Sequence, residues 1–218
     1  MSPKLIEIVR KFCLQKSITT GKAKLLKAAT KGDNCSCNKE QSFPCGPLSG
    51  CSLRAIQIEC SNQCSPTCLN KSIQLSKFPR VTVEPAGKKG LGLFAEQNIE
   101  QNDVVIEYVG EIIDTIEYNR RRREGLLDYC LTYGKYYIDA YNRGNFSRFS
   151  NSSHRPNCKM FPIDAGDEIR LALVACKDII KGEEIVWNYG KYYKGPCYCG
   201  ETNCSGEIGI EIKHSKSS

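Results

Sequence analysis

Fourteen cysteines stand in this sequence, and eleven of them fall into dense groups or beside one. The first group is Cys35, Cys37, Cys45, Cys51, Cys60, Cys64 and Cys68, with only one to eight residues between neighbours. The second is Cys197-x-Cys199-x4-Cys204. Structural zinc takes four ligands in a tetrahedron and prefers thiolate sulfur. Seven thiolates fill two such sites when one is shared, and Cys45 is assigned as that bridge. The three later thiols fall one short, and Cys158, just after Pro156-Asn157, is the best candidate for the fourth, making three ions in all. Cys13, Cys130 and Cys176 stay outside the count. The last two sit in apolar surroundings, where a buried thiol acts as a small hydrophobe.

Disulfides are the competing use of so many thiols, and they need an oxidising compartment. The opening residues MSPKLIEIVRKFC carry neither the apolar stretch nor the cleavage site of a signal peptide. Asn70, Asn145 and Asn151 each begin an N-x-S/T triplet, the one feature a secreted chain would explain. No apolar run approaches the ~20 residues that cross a bilayer, so no membrane association is expected. Net charge is +7, with basic residues gathered in residues 1–31 and at Arg120–Arg123. An acidic or polyanionic partner fits that charge, and so does a merely solvated basic face.

Between the cysteine groups lie three further stretches: Lys89-Gly90-Leu91-Gly92-Leu93; Arg148-Phe149-Ser150-Asn151 running to Pro156-Asn157-Cys158; and Gly182-Glu183-Glu184-Ile185-Val186-Trp187-Asn188-Tyr189. Each alone is weak, and the G-x-G lacks the third glycine of a dinucleotide fingerprint. Short β-rich runs must position them: Arg80 to Glu84, Gly92 to Ala95, Val104 to Val109, Tyr136 to Ala140 and Glu168 to Ala175, each bounded by turn residues. Thr115 to Glu124 reads as the one clear helix in this part. In the leader, Leu5, Ile6, Ile8, Val9 and Phe12 line one helical face, and Ala23 to Ala29 predicts a second short helix.

Together and in this order, with Tyr108-Val109-Gly110-Glu111 and Ile138-Asp139-Ala140 to Gly144-Asn145, these stretches resemble the SET domain of protein lysine methyltransferases. The seven-cysteine region resembles an associated-with-SET zinc module, and the Cys197 group a post-SET module. Pro44-Cys45-Gly46, Glu59-Cys60, Phe78-Pro79-Arg80-Val81 and Asn188-Tyr189 are similar to the nuclear-receptor-binding SET-domain enzymes and their Ash1 relatives, which act on lysine 36 of histone H3 in nucleosomes. The resemblance implies a β-rich α+β fold, short sheets with a knot-like C-terminal segment, flanked by two cysteine-rich zinc modules. It implies a basic leader (1–31), a first zinc module (32–77), a SET domain (78–192), a post-SET module (193–211) and a disordered tail (212–218).

The resemblance also implies S-adenosylmethionine as cofactor, a histone H3 tail on the nucleosome as substrate, nucleosomal DNA against the basic surface, a nuclear location and a monomeric catalytic fragment. Transfer of a methyl group to lysine needs a neutral amine held in line, so positioning is the main demand. Tyr189 matches the catalytic tyrosine, with Tyr108 and Tyr129 as channel walls and Tyr137 a weaker candidate. Leu91, Gly92, Leu93, Tyr129, Arg148, Asn151, Ser152, Tyr189 and Tyr198 match the cofactor side.

This chain departs from the family at three places. Asn151-Ser152-Ser153-His154 stands where Asn-His-Ser-Cys is usual, so Ser152 replaces a histidine, and His154 is expected to be a surface or packing residue. Trp187 stands where Phe or Tyr is common, which favours mono- and dimethylation. The linker from Tyr189 to Cys197 is shorter than the subfamily's autoinhibitory loop. An inactive chromatin scaffold, or a methyltransferase for another histone lysine, is the alternative; a zinc-stabilised nucleic-acid binder lacks a Cys-Cys-His-His pattern to support it.

Overall fold

The computed structural model describes residues 14, 16–29, 35–38, 40, 42–191, 193–202 and 204–209. Cys13, the helical face of residues 4–12 and the tail lie outside them. Element order is β1 (Ile18–Thr19), α1 (Ser52–Ala55), β2 (Val81–Pro85), β3 (Leu91–Ala95), β4 (Val104–Glu107), β5 (Gly110–Ile113), α2 (Thr115–Arg123), β6 (Cys130–Tyr133), β7 (Tyr136–Gly144), β8 (Asn151–Ser152), β9 (Cys158–Ala165), β10 (Glu168–Ala175), β11 (Glu184–Trp187), β12 (Gly195–Pro196) and β13 (Glu207–Ile208). They form sheets β1-β5-β7-β6, β4-β10-β9, β2-β3-β11-β8 and β12-β13.

The continuous apolar run of β10 follows from its place between β4 and β9. Leu173 and Ala175 enter one core with Val83, Leu93 and Ile185, while Ala172 and Val174 enter another with Ile73 and Ile163. A strand covered on both faces needs no polar alternation.

The expected single strand Val104 to Val109 divides in two. Val104–Glu107 pairs with β10, then Tyr108 and Val109 carry the chain into the next sheet, where β5 pairs with β7. Gly110 permits this crossing, because a Cβ there would lie 2.6 Å from the Asp139 carbonyl oxygen. Tyr108 is therefore placed at a junction between sheets.

Helix α2 starts as its sequence suggests. The Asp114 carboxylate accepts the Ile116 and Glu117 N–H groups, both at 3.0 Å, which satisfies donors a helix leaves free at its start. Arg121 anchors α2 to the body: its guanidinium meets Glu111 at 2.9 Å, Glu117 at 2.7 Å and fully buried Asp139 at 2.7 Å.

The leader corrects one expectation, for Ala23 to Ala29 is not a helix. Residues 16–29 run as an extended strap: β1 lies parallel to β5, Ala23 is buried, and Leu25 and Leu26 pack on the Tyr133 cluster. The Tyr133 hydroxyl accepts the Leu26 N–H at 2.8 Å, and Leu26 in turn accepts the Ile169 N–H at 2.9 Å. These contacts hold the segment against its composition.

β8 passes parallel beside β11, with Asn151 opposite Val186 and Ser152 opposite Trp187. Asn157 locks this threading: its side chain donates to the Glu184 carbonyl at 2.8 Å and accepts the Val186 N–H at 2.9 Å. Connections that thread in this way are rare. The knot-like arrangement implied by the resemblance is present.

Candidate active site and metal centres

A cavity of about 440 Å³ lies between β6–β7, β9–β10 and the end of β11. Two aromatic groups line it. Trp187 and Tyr193 flank Tyr189, with ring centroids at 4.9 Å and 5.2 Å. Tyr118 of α2 stacks on Tyr137 of β7 at 3.9 Å and 14°. Tyr108, Tyr129 and Cys130 complete the wall with Arg148.

The hydroxyl protons of the two key tyrosines are committed. Tyr108 donates to the Tyr129 carbonyl and Tyr189 to the Ser150 carbonyl, each at 2.8 Å. Their oxygens therefore have only lone pairs left to offer another group. Burial pushes both phenols above their ordinary range, and for Tyr108 the neighbouring Tyr189 adds to the shift. Both stay neutral. Burial raises Tyr129 as well, opposed by the Arg148 guanidinium 5.8 Å from its ring centre.

The adjoining sheet gathers the other residues. The Asn151 side-chain amide donates to the Leu91 carbonyl at 2.9 Å and to the Glu184 carboxylate at 2.8 Å, and Lys89 pairs with that same carboxylate. Gly92 must remain bare, since a Cβ would meet Glu184 Oε1 at 2.8 Å and the Ala86 Cβ at 2.9 Å. Ser152 Oγ accepts the Tyr189 N–H at 3.4 Å, so the residue standing where the resemblance expects a histidine still ties β8 to the Tyr189 segment. Leu93 points into the core instead, fully buried, and can reach a ligand only through its backbone.

Arg148 Nη1 donates to the Ala140 and Tyr141 carbonyls at 3.0 Å and 3.4 Å. Its Nε is the one buried side-chain nitrogen or oxygen without a hydrogen-bond partner among the described residues. A buried donor left in this state is costly unless a ligand completes it. The orphaned Arg148 donor fits a ligand that brings a carboxylate or another acceptor.

The first thiol group is drawn together as the spacing predicts. Sulfur separations are 3.6 Å for Cys35–Cys45 and 3.8 Å for Cys35–Cys64, Cys45–Cys64 and Cys60–Cys45. A tetrahedron with zinc–sulfur bonds of about 2.3 Å has edges of roughly 3.8 Å. Two four-ligand sets emerge, Cys35/Cys45/Cys60/Cys64 and Cys35/Cys37/Cys45/Cys51. Cys45, completely buried, belongs to both; so does Cys35, while Cys68 packs within the same cluster. Cys35 is lowered to about 7: burial raises it, but hydrogen bonds from the Cys37 backbone and nearby thiols prevail.

The second group requires a correction. Cys158 does not join it; it lies fully buried beside Leu93, Leu173 and Ile185. As first residue of β9 it sits opposite Ala175 and faces that core. The fourth corner is His154, whose Nδ1 lies 3.4 Å from Cys197 Sγ and 3.5 Å from Cys199 Sγ, with Cys204 in the same set. His154 is thus not a mere surface or packing residue. Cys199 is lowered to about 6, where burial is outweighed by hydrogen bonds from backbone N–H groups and from His154.

Tyr198 is likewise not brought to the cavity; it is 48% exposed, and Tyr193 lines the wall instead. Tyr193, Tyr118, Glu184 and His154 were missed as site residues. The aromatic pair before the Cys197 group was the only signal for Tyr193. The side-chain amides of the three N-x-S/T asparagines donate hydrogen bonds within the fold, Asn70 to the Ile58 carbonyl and Asn145 to the Glu107 carbonyl at 2.8 Å, Asn151 as above.

Comparison with known proteins agrees with this geometry. Residues 90–190 match the SET domain model. Proteins named histone-lysine N-methyltransferase, H3 lysine-36 specific, are similar: that of Schizosaccharomyces pombe is 40% identical over 76% of this chain, and that of Aspergillus oryzae 39% over 78%. The chain spans about a fifth of their length, 22% and 19% respectively. The methyltransferase domain of human histone-lysine N-methyltransferase SETMAR superposes with a TM-score of 0.69, covering 92% of this chain and 89% of that one at 24% identity, a likeness of fold. Residues 90–190 form a SET domain, between two cysteine clusters that could hold zinc.

Proposed function

We propose that this chain is an S-adenosylmethionine-dependent lysine methyltransferase acting on histone H3 at lysine 36 in nucleosomes. The observation that carries it is the aromatic cavity, in which Tyr108 and Tyr189 keep neutral hydroxyls whose protons are already given to backbone carbonyls. The names of the similar fungal proteins support the choice of lysine.

Within this reading the cavity holds the substrate amine. Aromatic walls exclude water and tolerate a cationic or methylated nitrogen, and a dry site favours the neutral amine that must attack. The phenol oxygens accept N–H groups from that amine and so orient its lone pair. Trp187 narrows the space beside Tyr189, which favours mono- and dimethylation. S-adenosylmethionine supplies a methyl group activated on a sulfonium. Leu91, Gly92, Leu93, Asn151 and Ser152 would hold it through β3 and β8, and Arg148 Nε would take its carboxylate.

Zinc would organise both cysteine regions: two ions in the first with Cys45 shared, and one held by His154, Cys197, Cys199 and Cys204. The domain limits given by sequence (32–77, 78–192 and 193–211) place these ions on either side of the catalytic domain. Arg122 and Arg123, exposed at the end of α2 and in no ion pair among the described residues, offer a surface to nucleosomal DNA in a nuclear, monomeric enzyme.

The test is transfer of labelled methyl from S-adenosylmethionine to recombinant nucleosomes, followed by mass mapping. Label on lysine 36 of H3 is expected. Label elsewhere removes the site assignment, and no label from zinc-loaded protein removes the enzymatic reading.

A further inference from the structure

We infer that the same cavity contains a second subsite, made by the Tyr118–Tyr137 stack and Asp128, which takes a cationic side chain flanking the target lysine. This rests on the cavity being the lysine channel. Pockets of a few hundred Å³ hold drug-sized ligands, so a cavity of about 440 Å³ has room beyond one lysine chain. The space is not walled by the channel tyrosines alone: Leu127, Asp128 and Thr132 line it together with Tyr118 and Tyr137.

Three features point to a cation. Two stacked phenol rings, 3.9 Å apart and half-buried, present a negative π face. Asp128 is exposed and forms no ion pair among the described residues. The only other charged residue of the lining is Arg148, whose Nη1 is held by the Ala140 and Tyr141 carbonyls, whose guanidinium lies over the rings of Tyr129 and Phe149, and whose unpartnered Nε is assigned above to the cofactor carboxylate. The uncommitted charge of the wall is therefore negative. β6 forms the open edge of its sheet, with Thr132 opposite Tyr137, so an extended substrate following that edge passes the stack. A flanking Lys or Arg would place its head between the ring face and the carboxylate.

The experiment uses nucleosomes in which each Lys or Arg near the mapped target is changed singly to Ala, methylated by the unaltered protein and by Asp128→Asn. One of these tail changes should raise KM about five- to tenfold with kcat unchanged. Asp128→Asn should do the same on the parent nucleosome and add nothing on the altered one, as expected for two halves of one contact. Asp128→Lys should then prefer a tail carrying Glu at that position. Additive effects, or a KM indifferent to every flanking change, overturn the subsite while leaving the lysine channel standing. Absence of transfer to the parent nucleosome overturns the functional reading, and the subsite with it.

Discussion

Replacing His154 by alanine separates the two possible fourth ligands of the second metal centre. A structural zinc site is worth about 10–16 kcal/mol in apparent binding energy. Sharing that over four ligands gives about 3 kcal/mol for each, or roughly a hundredfold in affinity. Zinc content is read by mass spectrometry, and affinity by competition with a chromogenic chelator. His154→Ala should hold two ions tightly and a third roughly a hundredfold more weakly, whereas His154→Cys should hold all three. Cys158→Ser should also keep three, because Cys158 is enclosed by Leu93, Leu173 and Ile185 and does not join the thiol set. Its cost is a hydroxyl in an apolar core, about 1–3 kcal/mol. For a chain of this size that lowers Tm by roughly 2–12 °C. A Cys158→Ser protein that loses an ion, or a His154→Ala protein with unchanged affinity, would refute the ligand assignment.

Four further outcomes follow from the geometry. Tyr189→Phe removes a channel hydroxyl but no wall, so kcat should fall about 10²–10³-fold with S-adenosylmethionine affinity, measured by calorimetry, nearly unchanged. Arg121→Met leaves the buried Asp139 carboxylate without its cation; a loss of about 3–5 kcal/mol is expected in denaturant unfolding. A phenol whose pKa is raised stays protonated to higher pH, and burial raises both Tyr108 and Tyr189. Turnover should thus climb with pH as the substrate amine loses its proton, with no downturn before about pH 10, and an earlier downturn would place an ionising phenol in the site. Chelating the zinc should release the first module, where Cys45, Cys51, Cys60, Cys64 and Cys68 pack with little else but Leu53. Hydrogen exchange should then rise across residues 44–72 and stay slow in β10.

What the sequence made legible was set at the level of segments. The strand alternations, the Asp114-led helix and the two thiol groups each depend on local pattern, and the structure holds them within a few residues of their expected limits. The leader was different: Ala, Leu and Lys favour a helix in isolation, but Ala23, Leu25 and Leu26 gain more by filling space beside Tyr133. The break after Glu107 had no local sign either, because Tyr108 and Val109 continue the β pattern and only the close approach of Gly110 to Asp139 forces the crossing.

The second metal centre shows the same limit at a finer scale. Cys158 was expected beside the Cys197 group, but in the stretch from Asn151 to Cys158 the residue that stands there is His154. Which residue of that stretch reaches the thiols depends on the path between β8 and β9. Pairing of Ser152 with Trp187 fixes one end and pairing of Cys158 with Ala175 the other. At the second end the strand turns its first side chain into the Leu93 core, so Cys158 is spent on packing and the bend between the strands presents His154. Residue type favoured the thiol, but strand direction selected the imidazole. The same threading joins that imidazole, through Ser153 to the Trp187 carbonyl at 3.1 Å and Ser152 to the Tyr189 N–H, to the channel. A ligand change at residue 154 is therefore mechanically close to catalysis, and the zinc competition and the kcat of the His154 variants should move together.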